Sequence, residues 1–125
     1  MALPSSGAAR YARQVSVPGV GLRGQAQLAA ASVSILGEGL DAEVCALYLA
    51  GAGIGCVRVS PSLAGRCREQ NGEITVLENE SSAVALRVQL GEETFEPPPG
   101  APLLRGARAA RWAMARIFAQ AGQPS

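Results

Sequence analysis

Hydrophobic positions along this chain come in short blocks whose spacing changes from one block to the next. Leu22, Gln25, Leu28 and Ala29 fall at helical spacing and predict a short amphipathic helix from Gly21 to Ala31. Ser32 to Leu36 (SVSIL) reads as an apolar strand of the kind a parallel sheet buries. After a glycine turn, Ala42 to Ala52 is apolar on nearly every side, through Val44, Cys45, Ala46, Leu47, Leu49 and Ala50. A helix of that composition is buried all round, by the sheet and by a second body, for which a partner subunit is the candidate. Gly51, Gly53 and Gly55 end it and lead into a second strand, Cys56 to Ser60.

The second half is more polar. A polar, arginine-containing loop follows Ser60. Glu73 to Leu77 and Ala83 to Leu90 then read as two strands of a hairpin turning at Asn79-Glu80-Ser81-Ser82. Gly91 to Gly100, ending in Pro97-Pro98-Pro99-Gly100, reads as a stiff linker. A final helix spans about Leu103 to Ala121, with Arg105, Arg108, Arg111 and Arg116 on one face, expected to be solvated. Residues 1–9 are small and polar and read as a loose N-terminus, residues 10–121 as one domain, and 122–125 as a tail.

The strand–turn–helix–strand unit from Ser32 to Val59 is the opening of a nucleotide-binding α/β fold. Its turn, Gly37-Glu38-Gly39-Leu40-Asp41-Ala42, is G-x-G-x-x-A, a permitted dinucleotide or ATP turn. In such a turn the first glycine bends the chain and the second admits the phosphate. The small third position packs helix on strand, and the helix's first amides hold the anion. Glu38, Asp41 and Glu43 crowd carboxylates around that place. Asp41 stands where an N-cap would, and its oxygen can take the amides that phosphate needs. Two readings stay open, a self-capped structural turn and a retained but weak nucleotide site. No carboxylate follows strand two to hold ribose hydroxyls, because the chain runs into Ser60-Pro61-Ser62.

Composition narrows the chemistry. Length fits one domain, and with 48% hydrophobic residues a folded core is expected. A net charge of +1 predicts no nucleic-acid partner, and no apolar run predicts a membrane span. The N-terminus lacks a secretory pattern, so a cytoplasmic protein is expected. The chain has no histidine and no lysine, and all 11 basic residues are arginine. Histidine acid–base chemistry, lysine Schiff bases and Ser-His-Asp triads are therefore excluded within it. Cys45, Cys56 and Cys67 form no C-x-x-C pair, so neither zinc nor a disulfide framework is expected. They read as small core residues, although Arg66 and Arg68 flanking Cys67 would favour its thiolate.

Arg10 to Val59 as a whole resembles the ThiF/MoeB/HesA family, the ubiquitin-activating-enzyme-like adenylyltransferases. The resemblance rests on Arg10-Tyr11-Ala12-Arg13-Gln14, on Pro18-Gly19-Val20-Gly21, and on Gln25 and Leu28. It continues through the glycine turn and Tyr48-Leu49-Ala50-Gly51-Ala52-Gly53-Ile54-Gly55. Members of that family use ATP to adenylate the C-terminal glycine of a ubiquitin-like or sulfur-carrier protein, usually as dimers. The resemblance implies that Gly37, Gly39 and Ala42 are the phosphate turn. It implies that Arg13 is an arginine finger offered in trans to a partner's ATP. It also implies a small Rossmann-like α/β domain, a largely parallel sheet with flanking helices, truncated relative to the family.

The chain departs from the family pattern where catalysis would lie. Leu40 stands at a glycine position, Pro61 at the ribose aspartate, and the ATP-contacting lysine and zinc cysteine pairs have no counterpart. The expectation is a degenerate, non-catalytic interaction or accessory subunit, with ATP binding weak or lost. It would work as a homodimer, or as a heterodimer with an intact relative to which it offers Arg13. A ubiquitin-like or sulfur-carrier protein is a further expected partner. The alternatives are a minimal ATP-dependent adenylyltransferase and a nucleotide-binding module without transfer chemistry.

Overall fold

The computed structural model describes residues 22–79 and 85–121; Arg10 to Gln14, and with them Arg13, lie outside the described residues. Nine elements follow in order: α1 (Leu22–Ala29), β1 (Ser32–Leu36), α2 (Leu40–Ala52), β2 (Cys56–Val59), α3 (Pro61–Gln70), β3 (Thr75–Glu78), β4 (Arg87–Leu90), β5 (Glu93–Phe95) and α4 (Pro102–Ala121). The strands form one sheet in the order β3-β2-β1-β4-β5. β1, β2 and β3 run parallel, joined through α2 and α3, while β4 and β5 are antiparallel additions. The fold is a small Rossmann-like α/β domain with a largely parallel sheet and flanking helices, as the sequence implies.

Strand pairing sorts the side chains into two faces. Ser32 pairs with Cys56, Val33 with Val57 and Ser34 with Arg58, while Ile35 opposes Val88. Val33, Ile35, Val57, Val59, Val88 and Leu90 therefore share one face, and all are buried. Against it lie α2, α3 and α4, with α2 in contact with both of the others. The other face carries Ser32, Arg58, Thr75, Leu77 and Thr94, all exposed. β1, expected as an apolar strand of the kind a parallel sheet buries, is fully buried on one face only. Its serines alternate with its β-branched residues, and among the described residues only one face is packed.

The expected second covering of α2 comes from within the chain. α4 packs along it, with Ala109, Ala110 and Ala113 fully buried. Phe95 of β5 stacks on Trp112 of α4, ring centroids 5.3 Å apart and planes 11° from parallel.

Three further expectations are corrected. The polar loop after Ser60 is the helix α3. Pro61 at its first position needs no donated amide, and Leu63, Ala64 and Cys67 supply its buried stripe. Asn71 closes it, its side chain donating to Ala50 O (3.1 Å) and accepting from the Glu73 amide (2.9 Å).

The hairpin predicted between Glu73–Leu77 and Ala83–Leu90 does not form. With a helix between β2 and β3, β3 joins β2 in parallel at one side, and β4 joins β1 at the other. The stiff linker contains β5, which pairs with β4 through Val88–Phe95, Gln89–Thr94 and Leu90–Glu93.

Candidate functional site

The C-terminal ends of β1, β2 and β3 point to one edge of the sheet. In parallel α/β sheets, ligands bind at that edge. Three segments meet there: the turn Gly37-Glu38-Gly39 after β1, Ser60-Pro61-Ser62 after β2, and Asn79 after β3. Asn79 Nδ2 donates to Ile35 O (3.2 Å) and to Arg58 O (3.3 Å), tying the three strand ends together.

Gly37 has φ +110°, a backbone that side chains rarely adopt, so it makes the bend the motif assigns to its first glycine. Gly39 is the N-cap of α2 at φ −77°, ψ −179°, and no side chain caps the helix there. The first helical bond runs from the Glu43 amide to Gly39 O, 3.0 Å. Ala42 is fully buried and sits where the motif asks for a small residue. Gly37, Gly39 and Ala42 are thus brought together as a turn opening a helix, with Leu40 exposed at its tip.

Asp41 is not the N-cap but lies two residues beyond it, in the first turn of α2. Its Oδ1 accepts from the Ala42 amide at 2.8 Å, so a first-turn donor is already taken by a carboxylate. Its Oδ2 accepts from Arg105 Nε at 3.1 Å, with both side chains largely buried at 19% and 15% exposed. Arg105 also donates through Nη1 to Pro97 O (2.7 Å) and Pro98 O (2.8 Å). A negative carboxylate at a helix start is favourable, and the guanidinium completes a neutral cluster.

The neighbouring carboxylates are engaged as well. Glu43 pairs with Arg66 of α3 at 2.6 Å. Glu38 accepts from Ser62 Oγ at 3.3 Å, and Ser62 Oγ lies 3.1 Å from Ser60 Oγ, itself buried. A carboxylate therefore does stand beside the end of β2, although no residue following that strand provides one.

Sequence reasoning missed Arg105, which was placed on a solvated arginine face. Arg108 and Arg111 are exposed, but Arg105 belongs to the turn, and Arg116 pairs with Glu93 of β5. One signal was available: a glycine next to Arg105 inside a helix. At Gly106 a Cβ would lie 2.5 Å from Asp41 O and 2.6 Å from Val44 Cβ. The bare backbone lets α4 reach the first turn of α2, and Arg105 arrives with it.

Neither Cys45 nor Cys67 is set up as a nucleophile. Burial, with the charges of Asp41 and Cys67 adding, pushes the Cys45 thiol up to about 12. Burial raises Cys67 too, against the opposing pull of Arg68. A thiolate needs the reverse. A separate groove of about 600 Å3 lies at the other end of the strands, between α1, Ser32, Leu90 and Ile117, away from the turn. Among the described residues no helix is long and apolar enough to cross a membrane, and no group of three or more carboxylates and cysteines could hold a metal ion.

Comparison with known proteins finds relatives for part of the chain. No family model matches the chain. A 46-residue stretch, 37% of the chain, is 56% identical to the adenylyltransferase and sulfurtransferase uba4 of Neosartorya fischeri. The corresponding protein of Sclerotinia sclerotiorum is 42% identical over 50 residues, and the adenylyltransferase and sulfurtransferase MOCS3 of Anopheles gambiae 49% over 51. This stretch is related to the ThiF/MoeB family. The match spans about a tenth of the length of these relatives (10%, 11% and 12% respectively). What it shares with them is a segment, not their whole architecture.

Proposed function

We propose that this ThiF/MoeB-related domain is a non-catalytic interaction or accessory subunit, which offers Arg13 to the ATP site of an intact relative. The observation that carries this reading is the Asp41–Arg105 cluster, a carboxylate and its counter-ion seated at the helix start where ATP phosphates would lie. Adenylyl transfer needs charge stabilisation at the phosphates. This chain has no lysine to supply it, and Arg105, which reaches the turn, is already committed to Asp41. The relatives carry adenylyltransferase in their names, so the partner is a protein of that activity, acting on a ubiquitin-like or sulfur-carrier protein.

The test has two arms. The chain alone should give no ATP–pyrophosphate exchange. Added to an intact uba4-type protein, it should raise adenylation of the carrier, and Arg13→Ala should remove that increment. Exchange by the chain alone would establish an enzyme instead, and an unchanged increment with Arg13→Ala would discard the arginine donation.

One observation favours a second reading, a nucleotide-binding module without transfer chemistry. Gly37 keeps the bend of a working turn, and Glu38 with Ser62 places hydrogen-bonding groups beside the end of β2. That reading predicts saturable nucleotide binding with no exchange.

A further inference from the structure

The groove beside α1 lies at the edge of the sheet opposite the glycine turn, where β1 begins. One stripe of α1 forms its wall: Arg23, Ala26, Gln27 and Ala30, at the i, i+3, i+4, i+7 spacing of a single helix face. Ala30 extends the helix past Ala29 by donating its amide to Ala26 O at 3.1 Å. The apolar lining is completed by Leu90 and Ile117, both buried. The wall is held firmly. Leu28 O accepts the Ala31 and Gly55 amides at 3.0 and 2.9 Å, and Ala31 O accepts the Cys56 amide at 3.1 Å. A Cβ at Gly55 would lie 1.9 Å from Ala29 O, so the entry to β2 abuts the end of α1. A groove formed in advance lowers the ordering cost of binding.

The polar groups of this groove lack protein partners. Among the described residues, the side chains of Arg23, Gln27 and Ser32 make no hydrogen bond or ion pair, and no carboxylate lines the groove. Arg66, Arg87, Arg105 and Arg116 each have a carboxylate partner. We propose that the groove binds an aliphatic monocarboxylate, with its head on Arg23 and Gln27 and its chain along Ala26 and Ala30 toward Leu90 and Ile117. A guanidinium presents a planar fork of donors matched to a carboxylate, and the Gln27 amide one turn on adds another. From Arg23 to Ala30 the wall runs about 10 Å, at 1.5 Å per residue, which suits a chain of medium length. A volume of about 600 Å3 is in the range of small-molecule sites. One cation without a second favours a single anionic group over a dicarboxylate. The apolar wall favours a hydrocarbon body over a sugar.

The experiment is calorimetric titration of the full chain with octanoate, beside acetate and octan-1-ol, which carry the head and the body alone. Octanoate should bind saturably at one site, and each of the other two at least tenfold more weakly. Arg23→Gln should weaken octanoate about tenfold, the worth of one charge-assisted hydrogen bond. Ala30→Phe, at an exposed position, should fill the groove and abolish binding while leaving the urea midpoint unchanged. Mg-ATP should not compete, because the turn lies at the other edge of the sheet.

Absence of saturable octanoate binding would overturn the proposal, as would octan-1-ol binding as tightly as octanoate. Binding that survives both Arg23→Gln and Ala30→Phe, or that Mg-ATP displaces, would place the ligand elsewhere and overturn it too.

Discussion

Arg105 and Asp41 carry more of this site than the glycines that first draw attention to it. Both are more than four-fifths buried, so truncating one strands the other's charge away from water. Arg105→Ala should cost about 2–3 kcal/mol of stability in urea unfolding, within the range for breaking a charged hydrogen-bond partnership. Arg87→Ala, which removes the exposed pair with Glu96, should change stability by less than about 1 kcal/mol.

Cys45 gives a pH prediction at the same scale. Its thiol is raised from 9.0 to about 12, so the folded state retains a proton that the unfolded state releases. Stability from this group is complete below pH 9 and is lost as pH rises toward 12. Cys67 acts in the same direction, and no lysine titrates in that window. Cys45→Ala should flatten the fall in unfolding free energy between pH 9 and 11, measured by urea titration; an equally steep fall would place the alkaline loss elsewhere.

At the level of elements, α4 is held to α2 by small residues and by backbone contact. Gly106→Val would force a branched side chain against Asp41 O and Val44. It should lower stability by about 3 kcal/mol or more, as overpacking with a backbone shift does. The loss should appear in the fluorescence of Trp112, the only tryptophan, because its stack on Phe95 reports the seating of α4 on β5.

Legibility in the sequence also divides by element. β1, α2, β2 and α4 could be placed to within a few residues, because long apolar runs and glycine stops mark them. α3 was hidden by its polarity: three buried residues, Leu63, Ala64 and Cys67, are a narrow stripe beside Arg66, Arg68 and Glu69. Missing α3 also produced the false hairpin, since β3 becomes a parallel strand only once a helix separates it from β2. The turn itself was readable from Gly37, Gly39 and Ala42. The Asp41–Arg105 contact was not, because Arg105 lies 64 residues from Asp41 and only the folded α4 brings it back.

At the scale of the whole fold, the described residues pack the sheet on one side. Parallel strands are commonly covered on both faces, and here the alternation of serine and arginine with β-branched residues shows a face that tolerates water. Leu77→Thr, on the exposed face, should leave stability within about 0.5 kcal/mol of the unaltered protein. Val57→Thr, on the covered face of the neighbouring strand, should cost about 1–3 kcal/mol through a buried hydroxyl. Equal costs would mean that both faces are packed in solution.

The packed face of the sheet also carries the turn on which the functional proposal rests. On the reading proposed above, a turn whose first-turn amide is taken by its own carboxylate is closed to ATP. Calorimetric titration of the purified protein with Mg-ATP tests that most directly. The account predicts no saturable heat at millimolar nucleotide. Saturable binding would contradict it and show that Asp41 and Arg105 yield their places to phosphate.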